Sequence, residues 1–228
     1  MRVATRKLAK ASEIYSENAA LRAAVNLVPY VGGSLDILIS SRGQSIIQKR
    51  MLKFLDELKV EMSRLDEQAV NKAYLESEEW FDIVMRTLEA VAKTRNGEKV
   101  RLYAKMLSSS VSTPADLHYS SEDYLTIISE LTPREIRVAR VLFNQQHDRP
   151  QETETELQWA LGKGWNDMSE QSQVPKEELQ FALLRLQRAG LAKEITGTLL
   201  DYTGGVYVIT DAFRRLMDFL RERPDADV

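Results

Sequence analysis

Side chains able to carry covalent or proton-transfer chemistry are sparse in this sequence and poorly grouped. Its two histidines, His118 and His147, both fall in segments read as loops, and neither has a set of partners at metal-ligand spacing. There is no cysteine, which removes thiolate nucleophiles, thiolate metal sites and disulfides together and fits a reducing compartment. Phosphate-cradling Gly-rich loops, the paired-His metalloprotease helix and the nucleophile elbow are all missing. Asp36 is the one carboxylate in an apolar stretch, and a place in the first turn of a helix accounts for it. Glu76, Glu78 and Glu79 gather at a helix start, where the macrodipole favours acids. The expectation is a non-enzymatic chain with no catalytic residue, no metal ligand and no cofactor.

Recognition chemistry is better represented. The segment PKEELQFALLRLQRAG, from Pro175 to Gly190, reads as a helix. At about 100° per residue, Leu179, Ala182, Leu183 and Leu186 fall on one side and must face a core. The opposite side carries Glu177, Phe181, Leu184 and Arg188, with Arg185 near its edge and Lys176 and Gln180 peripheral. Downstream, the turn-rich tip at 197–205 adds Leu199, Leu200 and Tyr202, includes Asp201 and contains no Lys or Arg. Apolar groups beside an acid suit contact with protein, with a second copy of the chain or with its own N-terminal half.

The elements that must position these residues fall into two parts, 1–130 and 131–228. At 228 residues and 43% hydrophobic the chain can bury a real core. The first part reads as helical throughout. Its most apolar stretch, Ala24 to Ser40, is interrupted by Asn26, Pro29, Gly32, Gly33 and Asp36, and is short of the roughly 20 apolar residues of a spanning helix. It reads as a helical hairpin with an apolar elbow at Pro29–Gly33. A long helix follows on the stripe Ile47, Met51, Leu55, Leu58, Met62, Leu65 and Ala69, and burial in the chain's own bundle is preferred to a coiled-coil seam. Residues 74–95 repeat the pattern with Trp80, Phe81, Val84, Leu88 and Val91. Asn96-Gly97 then introduces a helix on Val100, Tyr103, Ala104 and Leu107, residues 108–121 read as a surface loop, and a short helix bears Tyr124, Ile127, Ile128 and Leu131.

After 131 the pattern changes. Thr132-Pro-Arg-Glu135 is a capping box with Pro at the first helical position. Helices around Leu157–Leu161 and Met168–Ser172 lead to the Pro175–Gly190 helix. Leu191–Thr196 and Val206–Thr210 read as strands, and Asp211–Arg223 as a closing helix. This order, carried by LLRLQRAGLAKEI, a Gly-rich tip and VYVITDAFRRLMDFL, resembles a winged helix-turn-helix. The expected class is mainly α: an N-terminal helical bundle followed by a winged helix with a small two-stranded wing.

That resemblance implies DNA, and the side chains argue the other way. A reading helix presents Arg, Lys, Asn or Gln to base edges, and a wing on phosphate needs cations. Lys176, Gln180, Arg185 and Arg188 are the residues a DNA-binding regulator would use. Charge also sits at the wrong end: residues 1–59 carry 10 Lys+Arg against 5 Asp+Glu, whereas 131–228 carry 13 against 16. The basic N-terminal part, with the elbow, offers a third expectation of docking at an anionic membrane surface.

Two phrases, EKVRLYAKMLSSS at Glu98–Ser110 and YSSEDYLTIISELTPRE at Tyr119–Glu135, are followed by RLQRAGL and YVIT. This layout, over about 75–215, is similar to the bacterial abortive-infection alpha family. The His-Pro frequent in that family stands here as His118-Tyr119. The resemblance implies a bacterial, cytoplasmic protein of anti-phage defence and carries no catalytic residue with it.

Overall fold

Helix α1, Ser41–Met62, forms on the long apolar stripe: Met51, Leu55, Leu58 and Met62 are buried, together with Phe54. The computed structural model describes residues 41–65, 70–112, 119–147, 156–161, 168–195 and 205–220. The elbow at Pro29–Gly33, Asp36, His118 and the tip residues Leu199, Leu200 and Tyr202 lie outside them. The described residues are mainly helical, with one small antiparallel sheet. They divide into two compact units that part between Ser129 and Glu130.

In the first unit α1 stops at Met62, short of the expected Ala69, and the Ser63 and Arg64 amides close turns onto the Lys59 and Glu61 carbonyls. The single helix expected over 74–95 is instead two, α2 at Lys72–Leu75 and α3 at Glu78–Lys93. Ser77 makes the break. Its hydroxyl accepts the Trp80 N–H at 3.2 Å and donates to the Tyr74 carbonyl at 2.7 Å, ending one helix and capping the next. Glu78 and Glu79 then stand in the first turn, as the macrodipole favours. The buried face of α3 is Trp80, Ile83, Val84, Thr87, Leu88 and Val91. Phe81, expected in that core, is 48% exposed. Adjacent residues on a helix stand about 100° apart, so once Trp80 turns inward against Tyr74 its neighbour must turn out.

Helix α4, Gly97–Ser110, is capped by the Asn96 side chain, which accepts the Glu98 and Lys99 amides at 2.7 and 3.2 Å. It packs on both α1 and α3, and every residue from Leu102 to Ser110 is buried. Ser108–Ser110, read from composition as the start of a surface loop, are therefore the last turn of an enclosed helix. Serine is small enough for close approach, and Ser110 Oγ satisfies itself on the Leu107 carbonyl at 2.8 Å. Helix α5, Tyr119–Glu130, turns Ser121, Leu125 and Ile128 inward. The buried Lys99 sends its ammonium to the Ser129 carbonyl at 2.7 Å, a cation at the C-terminal end of α5.

The second unit opens with α6, Pro133–Gln146, under the capping box anticipated from Thr132-Pro-Arg-Glu135: Thr132 N–H donates to Glu135 Oε2 at 2.8 Å, and Glu135 N–H returns to the Thr132 hydroxyl at 3.4 Å. Short helices α7, Glu156–Leu161, and α8, Met168–Ser172, precede α9, Lys176–Arg188. Strands β1, Ala192–Glu194, and β2, Tyr207–Ile209, pair antiparallel with Lys193 opposite Val208, and α10, Asp211–Phe219, follows. The core gathers Trp159, Ala160, Ile195, Val206 and Val208. Phe143 of α6 meets Phe213 of α10 at a ring-centroid distance of 5.9 Å.

Among the described residues β2 pairs with one strand, and a side chain serves its other edge. The Ile195 and Thr210 amides bond to Val206 and Leu191 across the hairpin, so by alternation Tyr207 and Ile209 aim their backbone groups outward. Gln146, buried at the end of α6, donates from Nε2 to the Tyr207 carbonyl and accepts the Ile209 N–H at Oε1, both at 3.0 Å. One amide does the work of a third strand.

Candidate functional site

Helix α9 is fixed in rotation by what it buries. Ala182, Leu183 and Leu186 are enclosed and Leu179 half so, and α9 packs on α6 and β1. Its end is equally defined. Gly190, at φ +74°, takes a left-handed conformation that a side chain resists; its amide bonds to the Gln187 carbonyl and the Leu191 amide to Leu186, both at 2.9 Å. Thr210 then ties this end to α10, donating from Oγ1 to the Gly190 carbonyl at 2.7 Å while accepting the Phe213 N–H at 3.1 Å.

With the helix so held, Glu177, Phe181, Leu184 and Arg188 are all exposed, Phe181 to 63% and Leu184 to 47%. Among the described residues these are two of only five large apolar side chains left open; the others, Ile46, Val60 and Phe81, belong to the first unit. Two ion pairs to α6 border the stripe on one flank, Arg134 with Glu178 and Arg185 with Glu135. Gln180 and Gln187 border the other, both exposed.

The residues suited to nucleic acid divide. Lys176, Gln180 and Arg188 are exposed. Arg185 is engaged within the unit, its Nε 2.7 Å from Glu135 Oε1. Glu135 is itself only 2% exposed, so the pair holds α9 against α6 and orients the helix rather than presenting a free cation. Sequence reasoning found the capping role of Glu135 and missed this second one, because partners fifty residues apart leave no local signal. Lys99, buried in the first unit, was missed for the same reason, its Ser129 partner standing thirty residues away; Glu61, paired with Arg64 only three residues on, and Lys105 were missed as well.

His147 follows α6, exposed, with Nδ1 3.0 Å from the Asn144 carbonyl. Among the described residues no three His, Asp or Glu side chains stand together as a metal ligand set, and no helix is long and apolar enough to cross a membrane.

Comparison with known proteins is blank on every axis: no family model matches the chain, and no curated protein or solved structure matches it either.

Proposed function

We propose that this chain is a non-enzymatic interaction protein whose second unit is a winged helix adapted to bind protein. The order of α6, α8, α9, the β1–β2 hairpin and α10 supports that arrangement. The observation that carries the functional reading is the open face of α9, where Phe181 and Leu184 lie between Glu177 and Arg188. In a DNA reader this is the surface that enters the major groove, and there it needs donors to base edges. An aromatic ring and an isobutyl group gain nothing from phosphate and gain much from a second apolar surface. The anti-phage setting comes from the abortive-infection resemblance and rests on the quoted phrases alone.

The test is a bacterial strain expressing the chain and challenged with phage. Wild type should lower plating efficiency, and Phe181→Asp/Leu184→Asp should restore it while the purified variant keeps its circular dichroism. In parallel, a gel shift with genomic fragments at about 100–150 mM salt should show no retardation that depends on Arg188. Retardation lost in Lys176→Ala/Arg188→Ala would replace this reading with a DNA-binding regulator.

A further inference from the structure

The exposed stripe of α9 is a palindrome in physical character. At about 100° per residue, Glu177, Phe181, Leu184 and Arg188 occupy a strip roughly 60° wide and about 16 Å long. Reversed end for end about a point between Ala182 and Leu183, Phe181 exchanges with Leu184 and Glu177 with Arg188. The buried face obeys the same symmetry, Leu179 exchanging with Leu186. An acid therefore stands at one end, a base at the other, and two large apolar groups at the centre.

We infer that the partner seated on this face is a second copy of the chain, its α9 antiparallel to the first across a two-fold axis between Ala182 and Leu183. This rests on the reading of α9 as a protein-docking face and names its occupant. Isologous pairing demands self-complementarity: residue i meets j, and j meets i. Here Phe181 meets Leu184 of the second copy twice over, and Glu177 meets Arg188 twice over. The steps of four, three and four residues form a seam of the kind that packs at a shallow crossing angle of about 20°. A parallel arrangement would instead set Glu177 beside Glu177 and Arg188 beside Arg188. The ion pairs Arg134–Glu178 and Arg185–Glu135 keep the flanking charges occupied within each copy, leaving Glu177 and Arg188 to set orientation. One helix face buries less than the roughly 1,200 Å² of a standard interface, so the dimer is weak and concentration-dependent.

Sedimentation equilibrium on the full chain from about 5 µM to 500 µM reads the association directly. Glu177→Arg and Arg188→Glu should each raise the dissociation constant about tenfold, since each converts two attractions into two repulsions. An equimolar mixture of the two variants should recover wild-type affinity, because each copy then offers the charge the other lacks. That recovery also shows both variants to be folded. A chain monomeric throughout, or a dimer indifferent to both reversals, overturns the second-copy inference. The docking reading fails separately, if Phe181→Asp/Leu184→Asp leaves phage plating and every association of the chain unchanged.

Discussion

Replacing Gln146 by Leu removes the side chain that completes the outer edge of β2. Two buried contacts go at once, the donor to the Tyr207 carbonyl and the acceptor for the Ile209 N–H, each made at 3.0 Å. Leucine fills similar volume but offers nothing polar, and water cannot replace the amide where the residue is enclosed. A buried backbone group deprived of its partner costs about 1–3 kcal/mol, and an added apolar side chain returns part of that. The expected loss is about 2–4 kcal/mol, or about 10–25 °C in the melting temperature of a unit of this size. Urea unfolding followed by far-ultraviolet circular dichroism would measure it, with the midpoint falling and the slope unchanged. Glu in the same place should be worse: it keeps an acceptor for Ile209 but sets an oxygen against the Tyr207 carbonyl. Gln145→Leu, one residue earlier and only partly buried, is the control and should stay within about 0.5 kcal/mol. If Gln146→Leu is as mild as that control, the amide is not standing in for a strand.

Gly190→Ala should cost about 1–2 kcal/mol although a Cβ there meets nothing within 4 Å, because the penalty lies in the left-handed backbone; thermal melts of the two chains decide it, and an unchanged midpoint would show that the turn relaxes. Tyr74 should ionise late. Burial, then the carboxylate of Glu79, push its hydroxyl up to about 12 despite the Ser110 hydrogen bond, and burial also raises Tyr103. The folded chain then holds a proton that the unfolded chain releases near the ordinary value of 10. The stabilisation is complete below pH 10 and fades as pH climbs toward 12. Tyrosinate absorbance should show a late fraction that shrinks in Tyr74→Phe; a single transition near 10 in folded protein would refute it.

Where a structural decision is made by neighbours in the chain, the sequence announces it. The Thr132–Glu135 capping box, the Ala-Gly-Leu ending of α9 and the split of its residues into enclosed and open sides all depend on positions within one or two turns, and all were legible. The α3 face was misjudged because Trp80 and Phe81 are adjacent aromatics and only packing against Tyr74 chooses between them. The enclosure of α4 was missed because its stripe of Val100, Tyr103, Ala104 and Leu107 marks one face only, while Lys105 and the serines buried on the others look like solvent-facing residues. Glu135 with Arg185, and Gln146 with β2, join residues about fifty and sixty apart, and nothing local encodes them.

A rod wrapped on every side has no address for a harmless change. From Leu102 onward α4 can drift only in concert with the helices that enclose it, even at serines that look expendable on paper. The outer strip of α9 is under no such bond to its own interior. Substitutions along it can accumulate while the scaffold stands still.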